Sequence, residues 1–469
     1  MINALGIVGL GTMGENLARN AARNGAAVSV FNRTPEKTDA FMKEYGGEGT
    51  FAAFHSLVEM IRSLPQPRAI ILMVKAGEAV DRMIGEIAPN LEKGDILIDG
   101  GNSHYRDTER RETALKEKGI RFVGMGISGG AEGALKGPSM MPGGNREAVE
   151  LLLPLLTKMS ADDGDGGKCV SYMGPGGAGH FVKMVHNGIE YGMMQLIAET
   201  YDVLKSCGGY LNAELSALYE SWAESPELSS YLVEITARVF KTRDPESGTD
   251  ILDLIRDAAG QKGTGRWTTL SALEYGVAVP TITAGLDARI ISSSKSLRER
   301  SQSLPVEVAA AQQPSVDHLG RLAGNALEFS MICAYKQGFM LIEEASKEEN
   351  WGIDSSACAR IWRGGCIIRS LQLRHWQQLF GDDAGASMKA NEYFHLRLRE
   401  TQRACREFIA LAVVSGVPVA ALSASLHYYD AVRRPHLPAN LIQAQRDFFG
   451  AHGFERVDLP GNFHVEWKS

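Results

Sequence analysis

The chain has 469 residues, 44% apolar and 22% charged, and a formal net charge of −7; this suggests two or three domains of an ordinary soluble protein and argues against non-specific nucleic-acid binding. The six cysteines (Cys169, Cys207, Cys333, Cys358, Cys366 and Cys405) show no metal-ligand spacing, and a chain this long does not call for a disulfide framework. The longest apolar stretch, 408–422, is too short for a membrane span, no signal peptide precedes the first strand, and a reducing cytoplasm is the expected compartment.

Residues 1 to about 130 alternate between apolar strands and helical stretches. Strands are predicted at 4–8 (ALGIV), 27–31 (AVSVF), 69–74 (AIILMV), 95–100 (DILIDG) and 121–126 (RFVGMG), with a helix from about Gly14 after the first. That alternation predicts a parallel sheet with crossover helices. A Gly- and Asp-rich stretch at 160–169 and the run GPGGAG at 174–179 mark a break. From 180 to about 433 the pattern is helical with few strand signals. Pro435 and Pro438 then precede a short last segment, 441–455. The expected architecture is an α/β Rossmann-type dinucleotide-binding domain (1–178), a large all-α domain (179–433) and a C-terminal tail (434–469).

The stretch GIVGLGTMG (6–14) sets G-x-G-x-x-G directly after the first strand and at the opening of a helix, the context of a dinucleotide fingerprint. Gly9, Leu10, Gly11, Thr12, Met13 and Gly14 are therefore the candidate pyrophosphate loop. The first Gly makes the turn, the second admits the phosphates to the backbone, and the third lets helix and strand pack. An NAD enzyme usually ends its second strand on Asp or Glu for the ribose hydroxyls. Here stand Asn32, Arg33 and Thr34. An acid would repel a 2′-phosphate, whereas Arg33 can pair with it in fork geometry, so NADP is the expected cofactor. Other strand ends carry Val74-Lys75-Ala76, Gly101-Asn102-Ser103 and Ser128-Gly129-Gly130, a candidate substrate cradle.

KMVHNGIEYG (183–192) lies deep inside a predicted helix. Lys183, His186, Asn187, Glu190 and Tyr191 fall within one sector roughly 140° wide. The rest of the helix is apolar, so it is expected to be buried nearly all round. Gly179, Gly188 and Gly192 each cost about 1 kcal/mol relative to Ala, which implies close approach of other elements. A base and an acid on one buried face point to proton transfer rather than to a passive nucleotide-binding scaffold.

A rival chemistry comes from GISGG (126–130), which satisfies the G-x-S-x-G of serine hydrolases with Ser128 as nucleophile. That elbow needs a helix immediately after the serine. The following residues, GGAEGALKGPSMMPGG, read as a loop, which counts against it.

The motifs GLGTMGENLARN, NRT, MVKAG, IDGGNS, GISGGAEGALKGPSMMPGG, GAGHFVKMVHNGIEYG, GQKGTGRWT and QAQRDFFGAHGFE run nearly end to end. Through them the chain resembles the long-chain decarboxylating 6-phosphogluconate dehydrogenases. The resemblance implies NADP-dependent oxidation of 6-phosphogluconate to ribulose 5-phosphate and CO2, in the oxidative branch of the pentose phosphate pathway and in gluconate utilization. It also implies a homodimer whose tail reaches into the partner subunit, and no metal, nucleic acid or membrane. By position, Lys183 corresponds to the family's general base and Glu190 to its general acid. Asn102, Ser128, Gly129, Gly130, His186 and Asn187 would hold the sugar acid. Tyr191, Lys262, Arg289 and Arg446 of the partner subunit would hold the phosphate, with the partner's His452 closing the site. Arg33, Thr34, Lys75 and Asn102 would contact the coenzyme. Two positions depart from the family: Ala131 and Met193 stand where acids are common.

Overall fold

The computed structural model describes residues 2–261, 263–305, 308 and 314–467. Seven strands form one sheet: β1 (Ala4–Val8), β2 (Ala27–Phe31), β3 (Phe51–Phe54), β4 (Ala69–Leu72), β5 (Ile96–Asp99), β6 (Arg121–Ile127) and β7 (Met140–Gly144). Their order is β3-β2-β1-β4-β5-β6-β7. β1 to β6 pair in parallel, as the strand–helix alternation predicts, and the central strands are buried and mostly apolar because helices cover both faces.

Two strands were not expected. β3 is a four-residue edge strand whose middle residues, Ala52 and Ala53, are exposed, so it leaves no apolar run to read. β7 pairs antiparallel with β6, and its Pro142, Gly143 and Gly144 read as loop. Proline is tolerated at a sheet edge. The link from β6 holds only the short helix Gly130–Lys136, too little for a parallel crossover. That helix also corrects the loop reading of 129–144. Its core, Ala131–Lys136, is rich in helix formers, and the surrounding glycines masked it.

The helix Ala178–Gly208 brings the helical part onto the sheet. It packs against β6 and β7 on one side and against the helices Thr264–Glu274, Pro280–Ser293 and Val316–Glu348 on others. The approach to the sheet is close because both surfaces are stripped. Gly124 and Gly126 lie two apart on β6 and so share a face. A Cβ on Gly126 would strike the Lys183 side chain, and one on Gly179 would strike the Gly124 and Met141 carbonyls. Gly188 meets Thr268 in the same way. Gly179, Gly188 and Gly192 thus sit at or near contacts, as their cost predicts, although Gly192 has only ordinary contacts at 3.7 Å.

The chain forms two compact units, Met1–Ser425 and Leu426–Ser469. Within the second, the helix Ala439–Gly450 leads into a small antiparallel pair, β8 (Phe454–Glu455) and β9 (Asn462–Phe463). Among the described residues no helix is long and apolar enough to cross a membrane, and no group of three His, Cys, Asp or Glu is placed to hold a metal ion.

Candidate active site

At the carboxyl end of β1 the chain turns through Gly9 (φ +102°) into the helix Thr12–Arg23. A Cβ on Gly9 would lie 2.5 Å from the Met73 carbonyl, and one on Gly14 would overlap the Gly9 carbonyl, so neither position admits a side chain. Gly11 faces open space. Asn32 has a structural task here: its Oδ1 accepts the Leu10 N–H at 3.0 Å and its Nδ2 donates to the Thr34 carbonyl at 3.1 Å. It pins the glycine loop to the end of β2. Arg33, Thr34 and Lys75 are exposed, while Val74 and Ala76 are half-buried.

Exposed Asn102 sits on a loop held from beneath. Asp99, at the end of β5, accepts the Gly101 N–H at 3.0 Å and the Ser103 hydroxyl at 2.6 Å. Arg111 donates to the same carboxylate at 3.3 Å, and both side chains are buried. The sequence reading missed Asp99 and Arg111. The acid directly before Gly-Gly-Asn-Ser was the available signal, since a charge ending a buried strand needs a partner.

Ser128 lies at the end of β6, 2% exposed, followed by Gly129 (φ +113°) and Gly130 (φ +63°), where Gly tolerates the left-handed backbone. Its Oγ is 3.2 Å from Nε2 of His186 on the long helix. Lys183 Nζ donates to Asn187 Oδ1 at 2.7 Å and lies 3.4 Å from His186 Nδ1. His186 Nδ1 is also 3.0 Å from Asn187 Oδ1 and 4.0 Å from Glu190 Oε2. A neutral ring satisfies these contacts when Nδ1–H donates to Asn187 and Nε2 accepts from the Ser128 hydroxyl. Of the face foreseen from helical spacing, Lys183, His186 and Asn187 are thus buried and mutually hydrogen-bonded.

Burial drives the titrations in opposite directions. It pushes the Lys183 amine down, with the charge of Glu190 opposing. It pushes the Glu190 carboxyl up, with Lys183 and Arg289 opposing. His186 falls well below the usual imidazole range through burial and then the neighbouring amine.

Tyr191 is buried, and the Arg289 guanidinium stacks over its ring at 3.5 Å. Gly265 packs on that ring, where a Cβ would lie 2.5 Å from it. Arg289 also donates to the Gly260 carbonyl at 3.2 Å. Lys262 lies outside the described residues. Arg446 and His452 belong to the second unit and are exposed. Trp362 was also missed: fully buried, it meets the His186 ring edge-on at 5.7 Å. Met193 is 1% exposed, so the position where the family commonly has an acid is apolar core here.

The helix after Ser128 removes one objection to a hydrolase, but the geometry supplies others. Ser128 is buried, and His186 Nδ1 faces an amide and an amine, with the nearest carboxylate at 4.0 Å. A serine triad needs a carboxylate on that nitrogen.

Two family models match the chain. Residues 4–174 match the NAD binding domain of 6-phosphogluconate dehydrogenase, and residues 179–467 match the 6-phosphogluconate dehydrogenase C-terminal domain. The chain belongs to the 6-phosphogluconate dehydrogenase family. It is 48% identical over 473 residues to the decarboxylating 6-phosphogluconate dehydrogenase of Synechococcus elongatus, covering 99% of both chains. It is also 48% identical to the NADP(+)-dependent, decarboxylating enzyme of Bacillus subtilis, covering 99% of this chain and 98% of that one. Among solved structures, the 6-phosphogluconate dehydrogenase of Plasmodium falciparum superposes with a TM-score of 0.91 at 40% identity over the full length of both. That enzyme was solved in its apo form, with its cofactor NADP+ and with its substrate 6-phosphogluconate.

Proposed function

We propose that this member of the 6-phosphogluconate dehydrogenase family converts 6-phospho-D-gluconate to D-ribulose 5-phosphate and CO2 with reduction of NADP, in the oxidative branch of the pentose phosphate pathway. The observation that carries the reading is a buried amine pushed down and a buried carboxyl pushed up on one helix face, beside the strand-end loop of Ser128. The nucleotide loop suits NADP: Gly11 leaves open room, and exposed Arg33 stands where an acid would repel a 2′-phosphate. NADP, when bound, accepts the hydride.

Neutral Lys183 takes the proton of the hydroxyl β to the substrate carboxylate. Its ammonium then polarises the new carbonyl oxygen of the β-keto acid, which eases loss of CO2. Asn187, 2.7 Å from the amine, keeps Nζ aimed. Glu190, its carboxyl pushed up by burial, returns a proton to the enol carbon. Both groups meet His186 Nδ1, so their reactive atoms lie within the span of one small sugar acid. Asn102, Ser128, Gly129, Gly130, His186 and Asn187 bind the sugar-acid end. Tyr191, Lys262 and Arg289 bind the phosphate, and the stacking of Arg289 on Tyr191 supports their acting together.

The working molecule is a cytoplasmic homodimer of three-part chains, divided at about 178 and 433. Exposed Leu270, Leu273, Ile290 and Ile291 favour a subunit interface on the Thr264–Glu274 and Pro280–Ser293 helices. In the dimer, Arg446 and His452 of the partner subunit complete each site.

Absorbance at the NADPH band, with purified protein, NADP and 6-phosphogluconate, tests the reaction. No signal, together with ester hydrolysis abolished by Ser128→Ala, would favour the hydrolase instead. Co-refolding Lys183→Met chains with Arg446→Ala chains tests the shared site. If the tail serves the partner, each mixed dimer has one site with both defects and one with neither, and about a quarter of wild-type activity returns. Recovery no greater than that of the separately refolded variants would place the tail on its own chain.

A further inference from the structure

The tail contains a carboxylate whose surroundings are more elaborate than a surface helix requires. Asp447 is 0% exposed, although Arg446, Phe448 and Phe449 beside it are exposed. Its Oδ1 accepts the Gly453 N–H at 2.9 Å and His464 Nδ1–H at 2.8 Å. Its Oδ2 accepts Trp467 Nε1–H at 2.8 Å and the Val465 N–H at 3.2 Å. One side chain thus gathers the end of its own helix, the following turn and the C-terminal segment after β9. Burial by itself would raise this carboxyl. The donors outweigh that and hold it well below the usual carboxylate range, since its cover is a thin wrap of tail residues.

The turn needs holding. Ala451 has φ +49°, a left-handed conformation that costs a residue with a Cβ, and Gly453 follows at φ +73°. His452 lies between them. Its ring rests on Gly450, where a Cβ would be 2.6 Å from Nε2, and meets Phe449 edge-on at 5.9 Å. A second link runs in parallel: Gln443 donates to the Gly453 carbonyl at 2.6 Å and accepts from Arg446 Nη1 at 3.0 Å. Arg446 and His452 therefore stand on either side of Asp447, joined through Gly453 and Gln443.

We infer that Asp447 is a positioning residue for substrate binding: it closes the 451–453 turn and the C-terminal return into one frame that fixes Arg446 and His452 relative to each other. This rests on the roles proposed above for those two residues. A preformed frame presents a guanidinium and an imidazole to a phosphorylated sugar acid without ordering a loose tail at each binding event.

The test uses full-length enzyme with Asp447→Ala, Asp447→Asn, Arg446→Ala and Arg446→Ala/His452→Ala, the last with and without Asp447→Ala. Asp447→Ala should raise KM for 6-phosphogluconate about tenfold, leaving kcat and KM for NADP within about twofold. Asp447→Asn keeps one acceptor oxygen but turns its NH2 toward two of the four donors, so it should show a smaller rise in the same KM. In the Arg446→Ala/His452→Ala background, adding Asp447→Ala should change nothing further. If Asp447→Ala misfolds, Asp447→Asn and Gln443→Ala, which cuts the parallel link, should each raise KM for 6-phosphogluconate alone. An undiminished effect in the doubly substituted background, or equal losses in kcat and both KM values, overturns the positioning role. So does a wild-type KM in Asp447→Ala when Arg446→Ala raises it. A wild-type KM in Arg446→Ala removes the tail from the site altogether, and this role with it.

Discussion

The nucleotide end of the sheet and the inner face of the 178–208 helix use similar side chains in opposite surroundings. Arg33, Lys75 and Asn102 are exposed at the strand ends, whereas Lys183, His186 and Asn187 are buried and Glu190 nearly so. An exposed cation keeps its hydration and its charge, which suits recognition of a phosphate. A buried amine loses the hydration that favours its charged form, which suits exchange of a proton. Position in the fold, more than residue type, separates a group that recognises charge from one that makes and removes it.

The largest effect expected from breaking this contrast is at Lys183. Lys183→Met should lower kcat for NADPH formation by about 10⁴-fold, since the base and the cation over the carbonyl go together. Near wild-type reduction of NADP by that variant would remove Lys183 from the chemistry.

Glu190→Gln should act later in the reaction. A fall in kcat of about 10²-fold is expected, with proton return slowed more than decarboxylation. Solvent-deuterium incorporation into ribulose 5-phosphate, followed beside CO2 release, separates the two steps. The pH profile sharpens the assignment. The proposed roles require a neutral Lys183, so activity should rise with pH through its depressed pKa, and a protonated Glu190, so activity should fall with pH through its raised pKa. The Gln variant should keep the acidic limb and lose the alkaline one. An unchanged alkaline limb would assign it to another group.

At the exposed end, Arg33→Glu should weaken NADP binding by about 3 kcal/mol and NAD binding far less. Titration of both nucleotides against both proteins checks this, and equal losses would mean that Arg33 does not read the 2′-phosphate. The smallest effect belongs to the helix's outer support. The Thr268 hydroxyl lies 2.8 Å from the Met184 carbonyl, so Thr268→Val should cost about 1 kcal/mol in thermal unfolding with kcat within twofold. A tenfold fall in kcat would show that packing and chemistry are not separable on this helix.

Much of this organisation was legible in the sequence because it rests on local periodicity. The β1 turn and the five-residue face of the long helix follow from chain spacing of 2 and 3.6 residues, which any neighbour must accept. β3 and β7 were hidden because an edge strand needs neither an apolar run nor freedom from proline. The helix after Ser128 was hidden because glycine counts obscured a short run of good helix formers.

Sequence alone determined the glycine turn after β1, the cluster of Lys183, His186, Asn187, Glu190 and Tyr191 on one helix face, and the family. It could not determine what those groups become. That Lys183 is pushed down depends on Gly124 and Gly126 of β6 letting the helix sink onto the sheet. That Asn32 is spent on Leu10 and Asp99 on the 101–103 loop depends on strands brought together from distant stretches of chain. Desolvation and hydrogen-bond partnership are properties of a residue's surroundings, and only the folded chain supplies those surroundings.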